Sequence, residues 1–174
     1  LTELILGKVS MDKLAITKAL RSDYKNPNQI AHKVLAERVG DRDPGNKPKP
    51  GDRIKYVFIV TDKPKSLMGE RIEIPDYIVE NKLKIDYTHY ITNQLMKPLQ
   101  QLFGLAVELI WESQRKHSAI KTYKKDMAIL ERDYSNDYET FMKKKEKYCS
   151  AKVKTLLFDK VLNQISNEKN GFQA

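Results

Sequence analysis

Pro50-Gly-Asp-Arg-Ile-Lys-Tyr-Val-Phe-Ile-Val60 decides the fold class. A Pro-Gly turn opens directly onto β-branched and aromatic residues, and residues 54–60 therefore read as a strand in an otherwise helical chain. Upstream, residues 41–51 hold three prolines, two glycines and no apolar side chain, the composition of a loop. Downstream, a turn region from Thr61 to Gly69 leads to Arg71-Ile-Glu-Ile74, whose strict alternation predicts an antiparallel partner for the first strand. The expectation is α+β, mainly helical, with one small hairpin near 54–60 and 70–74.

The remaining periodicity is helical. Leu14-Ala-Ile-Thr begins a short extended stretch. Asn26-Pro-Asn signals a helix start, and Ile30, Ala31, Val34 and Leu35 then recur at helical spacing towards an end by Gly40. Pro75-Asp-Tyr-Ile-Val-Glu-Asn gives one or two helical turns. Ile91, Leu95, Leu99, Leu102, Ala106 and Leu109 make the strongest stripe, with Asp86 and Thr88 as N-caps. Pro98 sits inside that stripe; a helix interior would bear about 3 kcal/mol for it, so a kink or two meeting helices is expected. Residues 112–150 are Lys/Glu-rich with sparse apolar positions, which predicts a helical hairpin broken near Ser135-Asn136. A last helix carries Val153, Leu156, Leu157, Val161 and Ile165, followed by a polar tail from Asn167. The chain does not begin with Met and stops after Gly171-Phe-Gln-Ala, so a piece of a longer protein is expected.

Composition narrows the function classes. A single cysteine, Cys149, allows no internal disulfide and favours an intracellular setting. No apolar run approaches the roughly 20 residues that span a bilayer, so no membrane partner is expected. His32, His89 and His117 show no metal-ligand spacing, and no metal site is predicted. His32, on a helix face, reads as a packed or hydrogen-bonded histidine. Asp41 and Asp43 lie in the Pro/Gly loop beside Arg42, a turn signature. Phosphate-cradling glycine loops and nucleophile–base motifs are absent, so no catalytic residue is assigned.

Charge is the positive signal. The net charge is +9. Residues 8–65 hold 14 Lys/Arg against 7 Asp/Glu, residues 66–111 hold 4 against 6, and residues 112–154 hold 12 against 7. Two basic segments flank a mildly acidic middle, a distribution that fits either a polyanion-binding surface or a solvated lysine-rich one. Lys18, Arg21 and Lys25, then Lys47, Lys49, Arg53 and Lys55, are interleaved with turn residues and with Tyr24 and Tyr56. Such groups can hold a phosphate backbone without reading bases. They are the candidate phosphate-contacting residues.

Four collinear blocks carry a resemblance: Leu14-Ala-Ile-Thr-Lys-Ala-Leu with Asp23-Tyr-Lys, Ala31-His-Lys-Val-Leu-Ala-Glu-Arg, Pro50-Gly-Asp-Arg-Ile-Lys-Tyr-Val, and Ile85-Asp-Tyr-Thr-His-Tyr-Ile-Thr-Asn-Gln-Leu-Met-Lys-Pro-Leu-Gln-Gln-Leu-Phe. They resemble the thumb of family B DNA polymerases, in particular the delta-like members. Gln101 stands where cellular members usually carry Arg, and Tyr90-Ile91 where they show Tyr-Tyr. With the Lys-rich insert and the Lys152-Val-Lys-Thr-Leu-Leu-Phe-Asp-Lys-Val-Leu ending, the pattern looks more like enzymes of large DNA viruses.

The resemblance implies a division into 1–13 (end of the palm), 14–111 (thumb) and 112–174 (Lys-rich helical hairpin and C-terminal helix). It implies primer-template duplex DNA as partner and nucleotidyl transfer by palm aspartates holding Mg2+. Those palm motifs lie outside this sequence, so no cofactor is expected here and the chain alone should be inactive. A sliding clamp is the second implied partner, through a tail beyond residue 174 that Gly171-Phe-Gln-Ala could begin. Location would be the nucleus or, for a virus, the host-cell replication site. Two other classes stay open on the residues themselves: a freestanding basic nucleic-acid-binding module, and a helical module in which 112–150 docks a protein.

Overall fold

The computed structural model describes residues 2–63, 65–104 and 106–171. The chain forms two compact units, Thr2–Tyr90 and a second that starts at Ile91.

The first unit is built on a three-stranded antiparallel sheet in the order β1-β2-β3, with β1 at Ile16–Ala19, β2 at Arg53–Phe58 and β3 at Ile72–Glu73. The expected hairpin is β2 with β3, paired Val57 to Glu73 and Phe58 to Ile72. The extended stretch after Leu14 adds a strand on the other edge of β2, so β2 is central. Ile54, Tyr56, Val57 and Phe58 of β2 are all buried, which fits a central strand of alternating faces covered on both sides.

Short helices α1 (Thr2–Ile5) and α2 (Met11–Leu14) precede β1. Pro27 opens only a 3-10 turn, Pro27–Gln29, and the main helix α3 follows at Ala31–Arg42. It runs past Gly40, which is buried; a Cβ there would meet the Lys47 side chain at 2.5 Å. The glycine therefore serves as a seat for the returning loop rather than as a stop. Gly69 plays the same part on the other side, where an added Cβ would lie 2.7 Å from Val34 Cβ. Leu35 and Ala36 of α3 are buried.

Polar bonds tie α3 to β3. Glu73 is 3% exposed. Arg42 Nη2 donates to Glu73 Oε2 at 2.5 Å and Arg38 Nε lies 3.3 Å from the same oxygen. Arg38 also donates to the Gly69 and Ile72 carbonyls at 3.0 and 2.5 Å. The Arg42 guanidinium lies over the Tyr77 ring at 3.7 Å; Tyr77 belongs to α4 (Pro75–Glu80).

Asp86 caps α5 (Tyr87–His89), accepting from His89 N–H at 2.9 Å, as its sequence position predicts. Its second oxygen accepts from Arg71 at 2.9 Å. The His89 ring stacks on Phe58 at 3.7 Å, and the Tyr90 hydroxyl accepts from Phe58 N–H at 3.0 Å.

The helical stripe across 86–110, where Pro98 predicts a kink or two meeting helices, is divided into α5, a π-helical segment Tyr90–Met96, α6 (Lys97–Gly104) and α7 (Val107–Ser113). Proline lacks an N–H, and its ring strikes the carbonyl four residues back in a regular helix. A wider π turn just ahead of Pro98 relieves that collision and accounts for the break in regularity.

In the second unit, α8 (His117–Asp133) and α9 (Tyr138–Leu157) form the expected hairpin around Ser135-Asn136. Asp137 caps α9 by accepting from Thr140 N–H at 2.9 Å, which holds its carboxyl below the usual range. Val107, Trp111, Tyr123, Cys149 and Val153 make the core, with Ile120 and Met127 packed against it. The Trp111 and Tyr123 rings meet edge-on at 5.7 Å, and the Tyr148 hydroxyl donates to Asp126 at 2.7 Å. The expected last helix is divided at buried Phe158, where α9 ends and α10 (Asp159–Gly171) begins. Of the expected clamp-binding start, Phe172-Gln-Ala lies outside the described residues.

Candidate nucleic-acid interface

The β1–β2 register decides which cations share a surface. Thr17 pairs with Lys55 and Ala19 with Arg53. Partners across an antiparallel ladder point the same way, so Lys55 and Arg53 stand on one face of the sheet. Lys18 alternates to the other.

The loop before β2 brings two more cations to the first face. Asp43 accepts from Gly45 N–H at 3.1 Å and from Asn46 Nδ2 at 2.6 Å, folding the chain into a 3-10 turn at Pro44–Asn46. Asp52 accepts from Lys49 N–H at 2.7 Å, and Gly51 takes φ +97°, which few side chains tolerate. Asp43 is thus committed to turn formation, in keeping with its sequence reading. The result is an open groove of about 960 Å³ lined by Lys47, Lys49, Arg53 and Lys55 together with Asp12 and Asp52.

The four cations are not equivalent. Lys55 Nζ lies 2.6 Å from Asp12, and Lys47 is paired with Glu37 of α3. Lys49 and Arg53 are exposed and make no ion pair among the described residues. They are the side chains freest to take an external anion. Glu37 also holds Lys33, and these contacts, Lys33 first and then Lys47, bring its carboxyl down to about 2.

A carboxylate lowered in the folded state stabilises at pH above its ordinary range near 4.5 and loses that contribution as pH falls towards 2. Glu37 is 43% exposed, so solvent screens both pairs and each contributes little. Glu37→Gln is expected to lower unfolding free energy by less than about 1 kcal/mol at neutral pH. The difference should disappear near pH 2 and shrink with added salt, as read from urea midpoints.

Lys18 and Arg21 belong to a separate cluster around His32, at the start of α3. Arg21 N–H donates to the Tyr24 hydroxyl at 2.8 Å, and that oxygen lies 3.1 Å from His32 Nε2. The two rings meet edge-on at 5.9 Å. Burial, then the charges of Lys18 and Arg21, push the His32 pKa below its ordinary 6.5. Lys25 is exposed on the loop that follows Tyr24 and lines neither cluster. Sequence reading placed His32 as packed or bonded; it did not join it to Tyr24, because only the fold brings residues 21, 24 and 32 together.

Among the described residues, no group of three His, Cys, Asp or Glu side chains is placed to hold a metal ion. No helix among them is long and apolar enough to cross a membrane.

Comparison with known proteins agrees with the block pattern. The profile described as DNA polymerase family B matches residues 1–105. A DNA polymerase of Pyramimonas orientalis virus is 44% identical over 173 residues, covering 98% of this chain and 14% of the viral protein. A DNA polymerase of Acanthamoeba polyphaga mimivirus is 47% identical over 113 residues, 62% of this chain and 6% of that protein. The DNA polymerase delta catalytic subunit of Candida albicans is 41% identical over 103 residues, 59% of this chain and 10% of the subunit. The chain thus spans a small part of each relative's length. The Pyramimonas orientalis virus match extends through the Lys-rich helices, which supports the viral resemblance. With more than half of its length matched by the profile, the chain belongs to DNA polymerase family B.

Proposed function

We propose that this chain is the thumb and following helical region of a DNA-directed DNA polymerase, and that it holds primer-template duplex through phosphates without reading base sequence. In this reading residues 1–13 connect from the palm, 14–111 are the thumb and 112–174 the helical extension. The observation that carries it is the groove in which Lys47, Lys49, Arg53 and Lys55 converge, two of them without a carboxylate partner among the described residues. Exposed cations along a rigid strand and its preceding turn suit a polyanion of regular charge spacing.

Nucleotidyl transfer, with Mg2+ on palm aspartates, belongs in this reading to another part of the parent protein. A sliding clamp would be reached through residues beyond 174. The replication site would be the nucleus or, for a viral parent, its place of replication in the host cell.

The test is binding of labelled duplexes of unrelated sequence by fluorescence anisotropy over a salt series. Log affinity should fall linearly with log salt, with one slope for all sequences. A Lys49→Glu/Arg53→Glu variant should bind roughly 60-fold more weakly at about 0.1 M salt and lose about 1.8 from the slope, the loss for two phosphate contacts. An unchanged slope in a variant with unchanged circular dichroism would place the duplex elsewhere.

A further inference from the structure

We infer that Lys18, Arg21, Tyr24 and His32 form a phosphodiester-binding site that takes up a proton when it is occupied. The inference rests on the thumb reading and goes beyond it, since it gives the duplex contact a pH dependence and names its proton acceptor.

The hydrogen-bond chain supplies the mechanism. Tyr24 has one proton and two lone pairs on its hydroxyl. One lone pair accepts from Arg21 N–H at 2.8 Å. While His32 is neutral with Nε2 unprotonated, the Tyr24 proton is donated to that nitrogen across 3.1 Å. When Nε2 gains a proton the bond reverses. His32 then donates to Tyr24, and the Tyr24 hydroxyl proton is released to an outside acceptor. Protonation therefore gives the cluster a third positive charge and a new O–H donor in one step, both favourable to a phosphate oxygen.

In the free chain that proton is disfavoured by partial burial and by Lys18 and Arg21. A bound phosphate neutralises those two cations and removes the electrostatic part of the opposition, leaving that of burial. Several other charged groups near α3 are engaged elsewhere. Lys33 is held by Glu37, Glu70 accepts from Leu67 N–H and Lys63, Arg71 is bound to Asp86, and Asp23 accepts from the Ser22 hydroxyl. None of these carboxylates is among the groups that act on His32, so after burial the charges it answers to are the two cations.

The sign follows. His32 binds its proton at higher pH in the complex than in the free chain, so affinity rises as pH falls through the interval between the two midpoints. One linked proton gives at most about tenfold per pH unit. The experiment follows imidazole proton resonances of the 174-residue chain from about pH 5 to 8 at constant ionic strength, with and without a short DNA duplex. His32→Gln assigns the signal among the three histidines. With duplex, the His32 midpoint should move to higher pH. Duplex affinity should gain as pH falls, and both His32→Gln and Tyr24→Phe should flatten that gain.

If the duplex binds but the midpoint stays fixed, the inference is overturned and the thumb reading stands. If no duplex binds at any pH, the thumb reading fails. The same titration with inorganic sulfate, whose charge is constant over this range, then decides the site alone: a fixed midpoint overturns it and an upward shift sustains it.

Discussion

Glu73→Ala is expected to cost about 3 kcal/mol of folding stability, the lower end of what breaking a buried ion pair costs. The lower end applies because Arg38 and Arg42 are about 30% and 29% exposed, so each can recover some hydration, whereas the Glu73 side chain is 4% exposed. The loss has two parts. Arg42 loses its only carboxylate among the described residues, and Arg38 Nε, which already lacks a hydrogen-bond partner, loses the neighbouring charge. Arg38 keeps its bonds to the Gly69 and Ile72 carbonyls, so α3 should stay tethered while the unit softens. Arg38→Met should cost a similar amount by leaving those two carbonyls unpaired. Urea unfolding followed by circular dichroism checks both. A loss under about 1 kcal/mol for Glu73→Ala would show that the cluster barely repays its desolvation.

The second large effect belongs to the other unit. Trp111→Ala should cost about 3–5 kcal/mol, the range for removing a large buried aromatic. Trp111 is 4% exposed and meets Tyr123 edge-on, within a core that also holds Val107, Cys149 and Val153. Truncation opens a void that helices pinned by the Tyr148–Asp126 and Gln100–Ser150 bonds cannot close. Trp111→Phe keeps most of the volume and should cost about 1–2 kcal/mol. Thermal unfolding by circular dichroism gives the comparison, and equal losses for the two variants would mean that ring volume is not what holds this core. Trp111 is the single tryptophan of the 174 residues, so in the unsubstituted 174-residue chain its fluorescence reports the state of this unit.

Features set by neighbours along the chain were legible without coordinates. Asp86 precedes a helix and accepts from the N–H three residues on, a short-range chemistry that sequence displays. The α8–α9 hairpin was readable because Tyr123 and Met127 recur four residues apart on one face, with a polar break between the helices. The Pro/Gly loop before β2 and the family blocks were equally plain. At the candidate site, the residue types were readable: exposed Lys and Arg among turns suggest a phosphate surface.

Tertiary structure decided what depends on partners far away in sequence. Four residues of β1 have too little alternation to name a partner, and only pairing with β2, more than thirty residues on, makes them an edge strand. Alternation named a strand at 71–74 but not the burial of Glu73, which α3 covers because Arg38 and Arg42 descend one helical turn apart onto the same carboxylate. Phe158 interrupts a run that periodicity reads as one helix. The seven candidate cations divide by strand register and loop return, so four line a groove, Lys18 and Arg21 gather at His32, and Lys25 joins neither. Local composition fixes which groups can bind a phosphate. Strand register, a property of two distant segments at once, fixes which of them can bind the same one.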